Sequence, residues 1–281
     1  MRKLEPALTS VANPRVKGWA KLSERKHRQR EGRFKLEGVH LVAEALAAGW
    51  PLECVVFDEG AGIPPELVQF AEREEAQGNG PLWIPASPDV IVKCSETETP
   101  QPVFAVALRV ERKAEQLFRG EGGPVVVLDG VQDPGNVGTI IRSAAASGAS
   151  AVVLGKGTAD LYNAKTLRST MGALFSIPVM EADLPQLLPE AKARGIPLFG
   201  TSLKATESCY ACDLSGSPWL LLGNEGAGLS PEVMELVDRP IIIPMTGRTE
   251  SLNVAMAATV LLFEAQRQRL VRLRHPSFPS S

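Results

Sequence analysis

Histidine and cysteine are scarce in this 281-residue chain, with three of the first and four of the second. His27, His40 and His275 all lie outside residues 124–270, so acid–base catalysis by histidine is excluded from that stretch. Cys54, Cys94, Cys209 and Cys212 are too few for a disulfide framework and point to a reducing cytoplasm. Cys209-Tyr210-Ala211-Cys212 has C-x-x-C spacing but no second pair, so packing outweighs metal or redox work there. No H-E-x-x-H occurs and no metal is expected. Long apolar runs are missing too. The longest, Val254 to Phe263, is about half the ~20 residues a membrane span needs. The start, Met1-Arg2-Lys3-Leu4-Glu5-Pro6, has no apolar stretch behind its charges, so no signal peptide is expected. Nucleotide fingerprints are also lacking. No G-x-G-x-x-G follows a strand, and Gly155-Lys156-Gly157-Thr158 lacks the glycine a phosphate-binding P-loop needs before its lysine.

What is there is a globular composition, 44% hydrophobic and 22% charged, long enough for one large or two small domains. The formal net charge of −2 predicts no polyanion partner, but it hides an asymmetry. Residues 1–35 hold eleven Lys/Arg against three Glu, and Arg267, Arg269, Arg272 and Arg274 cluster near the other end. Such polarised charge marks either a nucleic-acid-binding arm or a solvated basic helix. Residues 15–31, apolar only at Val16, Trp19, Ala20 and Leu22, read as a solvent-exposed basic helix. Lys21, Arg25, Lys26, Arg28, Arg30 and Arg33 are the candidate nucleic-acid contacts of this basic arm.

A helix over 37–48 stopped by Gly49, a strand over 52–57, a helix over 67–77 and a strand over 103–110 make residues 1–110 a small α/β unit. Charged, glycine-rich residues 111–123 read as a linker. From 124 to 275 the character changes. Val125–Leu128, Ala151–Leu154, Pro197–Thr201, Trp219–Leu222 and Ile241–Ile243 are short apolar runs without polar alternation. Those are the marks of strands buried on both faces. Helices are expected over 136–147, 185–194 and 251–270, giving a parallel sheet covered on both sides.

Three segments at strand ends carry polar groups. Leu128 to Ala145 runs from a strand through a Pro/Gly turn to Asn136, a plausible helix N-cap, and on to Arg142. A helix start attracts anions, and Arg142 adds a planar cation, although an ordinary tight turn has the same spacing. Leu221 to Ser230 places Asn224 and Glu225 in a loop with three glycines, which lets backbone approach a ligand or simply makes a connection. Ile241 to Ala257 breaks a strand at Pro244. Ser251 there can cap the last helix, with Asn253 inside its first turn.

Taken in order, the three segments resemble the three motifs of the SpoU/TrmH RNA methyltransferases of the SPOUT superfamily. The likeness covers 124 to about 270, and residues 33–110, beginning Phe34-Lys35-Leu36-Glu37-Gly38-Val39-His40, look more loosely like the ribosomal-protein-like substrate-binding domain in front of many members. The resemblance implies an α/β SPOUT domain with a trefoil knot, S-adenosylmethionine as cofactor, methylation of a ribose 2′-hydroxyl in structured RNA, and a homodimer with the last helix in its interface. It implies cofactor contacts from Thr201, Gly223, Ile243, Met245 and Leu252, and a catalytic set of Asn136, Arg142, Glu225, Ser251 and Asn253. The two-domain layout with its basic arm favours ribosomal RNA over tRNA. A base-methylating relative and a non-catalytic RNA-binding ribosome factor are the alternatives. Loss of Arg142, Asn253 or the glycine loop would have favoured the non-catalytic one, and all three are present.

Overall fold

The computed structural model describes residues 6–78, 80–118 and 122–274. The first five residues, the linker residues 119–121 and His275 lie outside them. Two compact units result. One comprises Met1–Val110 with Asp160–Phe175, the other Glu111–Ala159 with Ser176–Ser281.

In the first unit α1 (Pro14–Ala20), a 3-10 turn (Lys21–Ser23) and α2 (Arg25–Glu31) lead into β1 (Arg33–Glu37). Then come α3 (Val39–Ala47), β2 (Leu52–Asp58), α4 (Pro65–Gln77), β3 (Leu82–Ala86), α5 (Pro88–Cys94) and β4 (Val103–Leu108). The sheet order is β1-β4-β2-β3, with β4 antiparallel to both neighbours and β2 parallel to β3. The exposed basic helix expected over 15–31 is corrected here. Asn13 caps α1, the chain breaks at Lys21–Ser23, and Val16, Trp19 and Leu22 enter the core with Cys54, Val56, Ile84 and Phe104. Trp19 meets Phe104 edge-on at 5.8 Å. Three large side chains at near-helical spacing bury enough apolar surface to hold a polar segment down, at about 25 cal/mol per Å².

β1 escaped the sequence reading because Lys35 and Glu37 interrupt its apolar pattern. Lys35 is nonetheless buried, donating to the Cys94 carbonyl and paired with Glu37 at 3.5 Å. The segment 160–175 also belongs to this unit. Its helix α7 (Ala164–Thr170) is capped by Asn163, Tyr162 lies 4.5 Å from the Phe34 ring, and Phe175 meets Trp50 at 5.2 Å.

The second unit holds β5 (Val125–Asp129), α6 (Pro134–Ala146), β6 (Ala151–Leu154), β7 (Val179–Glu181), α8 (Leu184–Ala193) and β8 (Leu198–Thr201). It continues through β9 (Glu207–Ser208), β10 (Trp219–Gly223), α9 (Pro231–Met234), β11 (Arg239–Ile242) and α10 (Val254–Arg274). All strands pair in parallel in the order β7-β6-β5-β10-β8-β11-β9. Thus β10 lies between two strands that both precede it in the chain. The apolar runs on β5, β6 and β10 are buried throughout except at Asp129, as strands covered on both faces require. Of the residues read as linker, Ala114–Phe118 form a 3-10 turn. Its Leu117 joins the second core, and its Phe118 stacks on Trp219 at 5.7 Å.

Two helix starts differ from expectation. α6 begins at Pro134 with Asp133 as N-cap, whose carboxylate accepts the Asn136 N–H at 3.0 Å, so Asn136 sits in the first turn. α10 begins at Val254. Asn253, not Ser251, is its cap, accepting the Ala255 N–H at 2.9 Å. In both cases a proline at the first helical position or a short polar side chain with free backbone ahead of it outranks the neighbour chosen from spacing. No helix among the described residues is long and apolar enough to cross a membrane.

Candidate active site at the carboxyl ends of the second sheet

Parallel strands present their carboxyl ends on one side of a sheet, and ligands of open α/β sheets bind there. The register pairs Leu221 with Gly200 and Thr201 with Ile241. It thereby brings Thr201, Gly223 and Ile243 to the same end of three adjacent strands. Asn136 and Glu225 follow the ends of β5 and β10, which are paired from Val125 with Trp219 to Asp129 with Gly223.

Glu225 is the hub of a network joining all three motifs. Its carboxylate accepts the backbone N–H groups of Gln132 and Asp133, each at 3.1 Å, and the Asn136 amide at 2.9 Å. Asn136 in turn accepts the Asn253 amide at 3.0 Å. Asn253 completes the chain by capping α10. Burial alone would raise the Glu225 pKa, yet the bonds from Asn136, Gln132, its own N–H and Asp133 outweigh it and hold the carboxyl below its ordinary value. A carboxylate stabilised in this way is a weak base and a strong organiser.

Asn224 works beside it. Its amide donates to the Gly130 carbonyl at 2.9 Å, and its carbonyl accepts the N–H groups of Gly226 and Ala227. The glycine loop closes through paired backbone bonds between Asn224 and Gly228, both 2.9 Å. The close approach that Gly223 permits is first of all to its own loop: a Cβ there would collide with the backbone of Gly228 and Leu229.

Arg142, two turns into α6, is exposed and makes no hydrogen bond or ion pair among the described residues. Ser251 likewise stands outside the Glu225 network, in the exposed loop after β11. Residues 245–252 of that loop make no hydrogen bond among the described residues, so its backbone polar groups are open to a ligand. Met245 and Leu252 are exposed apolar side chains in it, and Thr201 donates its hydroxyl to the Leu221 carbonyl at 3.3 Å. Open backbone donors beside a thioether and a leucine fit a nucleoside with one apolar face and a polar sugar. The sequence singles out Asn224 as a polar group of the glycine loop but gives no prominence to Asp133 or Thr158, which also shape this region. Only the spacing of Asp133 ahead of Pro134, a strong capping pair, could have revealed one of them.

The candidate RNA contacts separate into two kinds. Lys21 and Lys26 are exposed and unpaired among the described residues. Arg30 is exposed beside Glu31 at 2.8 Å, and Arg33 is shared between Glu53 at 2.7 Å and Glu31 at 3.0 Å. Arg28 is corrected. It is only 3% exposed and donates to the Leu22 and Ser23 carbonyls and to Asp160 at 2.7 Å, so it is committed to the fold. Arg25 approaches the same Asp160 at 3.7 Å. All four cysteines are buried free thiols, with burial pushing Cys54 up to about 12 and Cys94 and Cys212 to about 11. Among the described residues no cluster could hold a metal.

Comparison with known proteins agrees with this geometry. Residues 123–263 match the SpoU rRNA Methylase family, and residues 13–105 match the MRM3-like substrate binding domain. The chain belongs to the SpoU rRNA methylase family. It is 39% identical to the 23S rRNA (guanosine(2553)-2'-O)-methyltransferase RlmP of Bacillus subtilis (strain 168), over 91% of this chain and 97% of that protein. Among solved structures, an AdoMet-bound rRNA methyltransferase from Sinorhizobium meliloti superimposes with a TM-score of 0.83 at 35% identity, covering 93% of this chain and 97% of the other. The SpoU methyltransferase AviRb from Streptomyces viridochromogenes, in complex with AdoMet, gives 0.82 at 33% identity over 92% and 98%.

Proposed function

We propose that this protein transfers a methyl group from S-adenosylmethionine to a ribose 2′-hydroxyl of 23S ribosomal RNA. The observation that carries the reading is the bonded chain Glu225–Asn136–Asn253, which ties three separate motifs together at the ligand-binding end of a parallel sheet. The cofactor supplies an electrophilic methyl group on a sulfonium. Thr201, Gly223, Ile243, Met245 and Leu252 would hold it, using open loop backbone and apolar side chains. Catalysis then demands alignment and help in removing a proton from a poor acid.

Arg142 serves the second need as a cation. A guanidinium with a pKa above ~12 is no base, but it binds a phosphate in a planar fork and stabilises developing alkoxide charge. Its lack of partners among the described residues leaves that fork available. Glu225, with its depressed pKa, organises Asn136 and the Gln132–Asp133 backbone rather than abstracting the proton. Ser251 and Asn253 shape the loop around the reacting ribose.

On this reading the chain works as a homodimer. Met256, Phe263 and Leu270, 50%, 44% and 50% exposed, recur every seven residues along α10 and form one apolar stripe. The stretch between β10 and α10 is threaded as a trefoil knot. The position of β10 between two earlier strands supports that. Lys21, Lys26 and Arg30 meet RNA phosphates from the first unit, and the protein acts in the cytoplasm, where ribosomal RNA is made. Mapping of 2′-O-methylation across ribosomal and transfer RNA, in cells with and without the protein, tests the reading. One 23S position should lose its methyl group. An unchanged ribosomal map with a lost tRNA site would replace it with a tRNA reading, and two unchanged maps would overturn it.

A further inference from the structure

The loop between β5 and α6 is gripped from two sides. Glu225 and Asn224 hold it from the β10 side, as described above. Thr158 and Ala159 hold it from the other. Thr158, 8% exposed, donates its hydroxyl to the Leu128 carbonyl at 3.0 Å and accepts the Gly130 N–H at 3.2 Å. Ala159 donates its N–H to the Val131 carbonyl at 2.9 Å, and Val131 is fully buried. Two consecutive residues thus take up Leu128, Gly130 and Val131, the root from which Asn136 and Arg142 project. Gly130 itself adopts a φ of +69°, a left-handed conformation that needs its neighbours to specify it.

The next residue, Asp160, belongs to the first unit and is fully occupied there. Its carboxylate accepts Arg28 at 2.7 Å and the Tyr162 N–H at 2.9 Å, lies 3.7 Å from Arg25, and its carbonyl accepts the Thr166 hydroxyl at 2.9 Å. Beyond it Leu161 and Leu167 are buried, Tyr162 packs on Phe34 with the Arg109 guanidinium 4.8 Å from its ring, and a Cβ on Gly172 would strike Glu44. Residues 160–175 are therefore built into the core of the substrate unit. Consecutive Cα atoms lie about 3.8 Å apart, so no slack separates Ala159 from Asp160.

We infer that Thr158 is a positioning residue for the methyl-transfer reaction, and that Thr158-Ala159-Asp160 ties the loop carrying Asn136 and Arg142 to the substrate-binding unit. The inference rests on the proposed function for its reaction, but the tie itself is readable without RNA. Thr158 and Ala159, which hold Leu128, Gly130 and Val131, directly precede Asp160 in the chain. Coupling of this kind needs a contiguous set of packed and bonded groups, which the segment provides.

The test uses the full-length protein with Thr158→Val, Thr158→Ser and Asp160→Asn. Three quantities are measured: the single-turnover rate on a 23S rRNA fragment, the Michaelis constant for that fragment, and hydrogen exchange at amides 129–136. Thr158→Val should slow the single-turnover step about tenfold, the worth of one buried hydrogen bond. It should raise exchange at 129–136 and leave the Michaelis constant within about twofold. Thr158→Ser should restore both rate and protection. Asp160→Asn should raise exchange at 129–136 as well, although it lies in the other unit. Normal rate and exchange in Thr158→Val would overturn the positioning role. Exchange raised by Asp160→Asn only within 1–110 and 160–175 would overturn the tie, and so would a folded Asp160→Asn protein with no change anywhere. If the wild type fails to methylate the fragment while Thr158→Val still loosens 129–136, the reaction reading falls and the tie stands.

Discussion

Residues 14–31 and residues 134–146 are both helical stretches flanked by polar side chains, and each contains an arginine whose surroundings decide its use. Arg28 in the first is 3% exposed and spends its guanidinium on two carbonyls and Asp160. Arg142 in the second is exposed and unengaged among the described residues. A buried charge that loses its partner costs the fold heavily, whereas an exposed one costs almost nothing to remove. Basic residues in this chain therefore divide by commitment. Those whose donors are already taken hold the fold, and those whose donors are free, such as Arg142, Lys21 and Lys26, stay exposed without a partner among the described residues.

Substitution at the two arginines probes this division most directly. Arg142→Ala should lower the single-turnover rate by about 100-fold or more, as loss of a charge-stabilising donor does, while the melting temperature and cofactor affinity stay put. Arg142→Lys should recover little of it. Arg28→Ala should do the reverse, costing about 3 kcal/mol in denaturant unfolding because Asp160 is left without its main partner. An Arg28→Ala protein of full stability and weakened RNA affinity would abolish the distinction.

A smaller effect is expected at Glu225. Its folded pKa is depressed below the ordinary 4.5, so its contribution is complete above that value and is lost as the pH falls through the lower folded value. Thermal melting followed from about pH 6 downward should therefore show an acid-side loss that Glu225→Gln lacks. Parallel acid limbs in the two proteins would show that the carboxylate contributes nothing. The smallest effect belongs to the free lysines. Lys21→Ala and Lys26→Ala should leave melting unchanged. Each should reduce the salt dependence of RNA binding by about 0.7 log units per log unit of salt, the share of one phosphate neutralised on a single strand. An unchanged salt slope would reassign them to solubility.

Much of this was legible in the residues themselves. The unbroken apolar runs of β5, β6 and β10 announce a parallel sheet, because only burial on both faces tolerates Val125-Val126-Val127-Leu128. The order of the three motifs led to the family and to Asn136, Glu225 and Asn253. Their bonding to one another was not legible, since hydrogen bonds spanning 89 and 117 positions depend on tertiary register. β1 was hidden because a buried Lys35 satisfied by Cys94 and Glu37 looks like a surface residue. The basic segment misled for the opposite reason: three apolar side chains among many charges are enough to dock one face of it on the core while most of its charges stay exposed. The removal of 160–175 into the first unit left no local signal at all, because it rests on partners such as Arg28 and Phe34 more than a hundred positions away.

The placement of β10 bears on how the molecule is made. Val125–Asp129 and Leu198–Thr201 flank it on either side, yet both are synthesised before Trp219–Gly223. Until then the nascent chain carries two apolar strand edges with no partner between them, and such edges recruit other chains. Completion of the sheet must wait for a late insertion between elements already present, a non-local step that slows folding. Chains halted before residue 219 should accordingly be captured by holding chaperones or aggregate. Chains released after α10 should acquire protease resistance in a single slow phase.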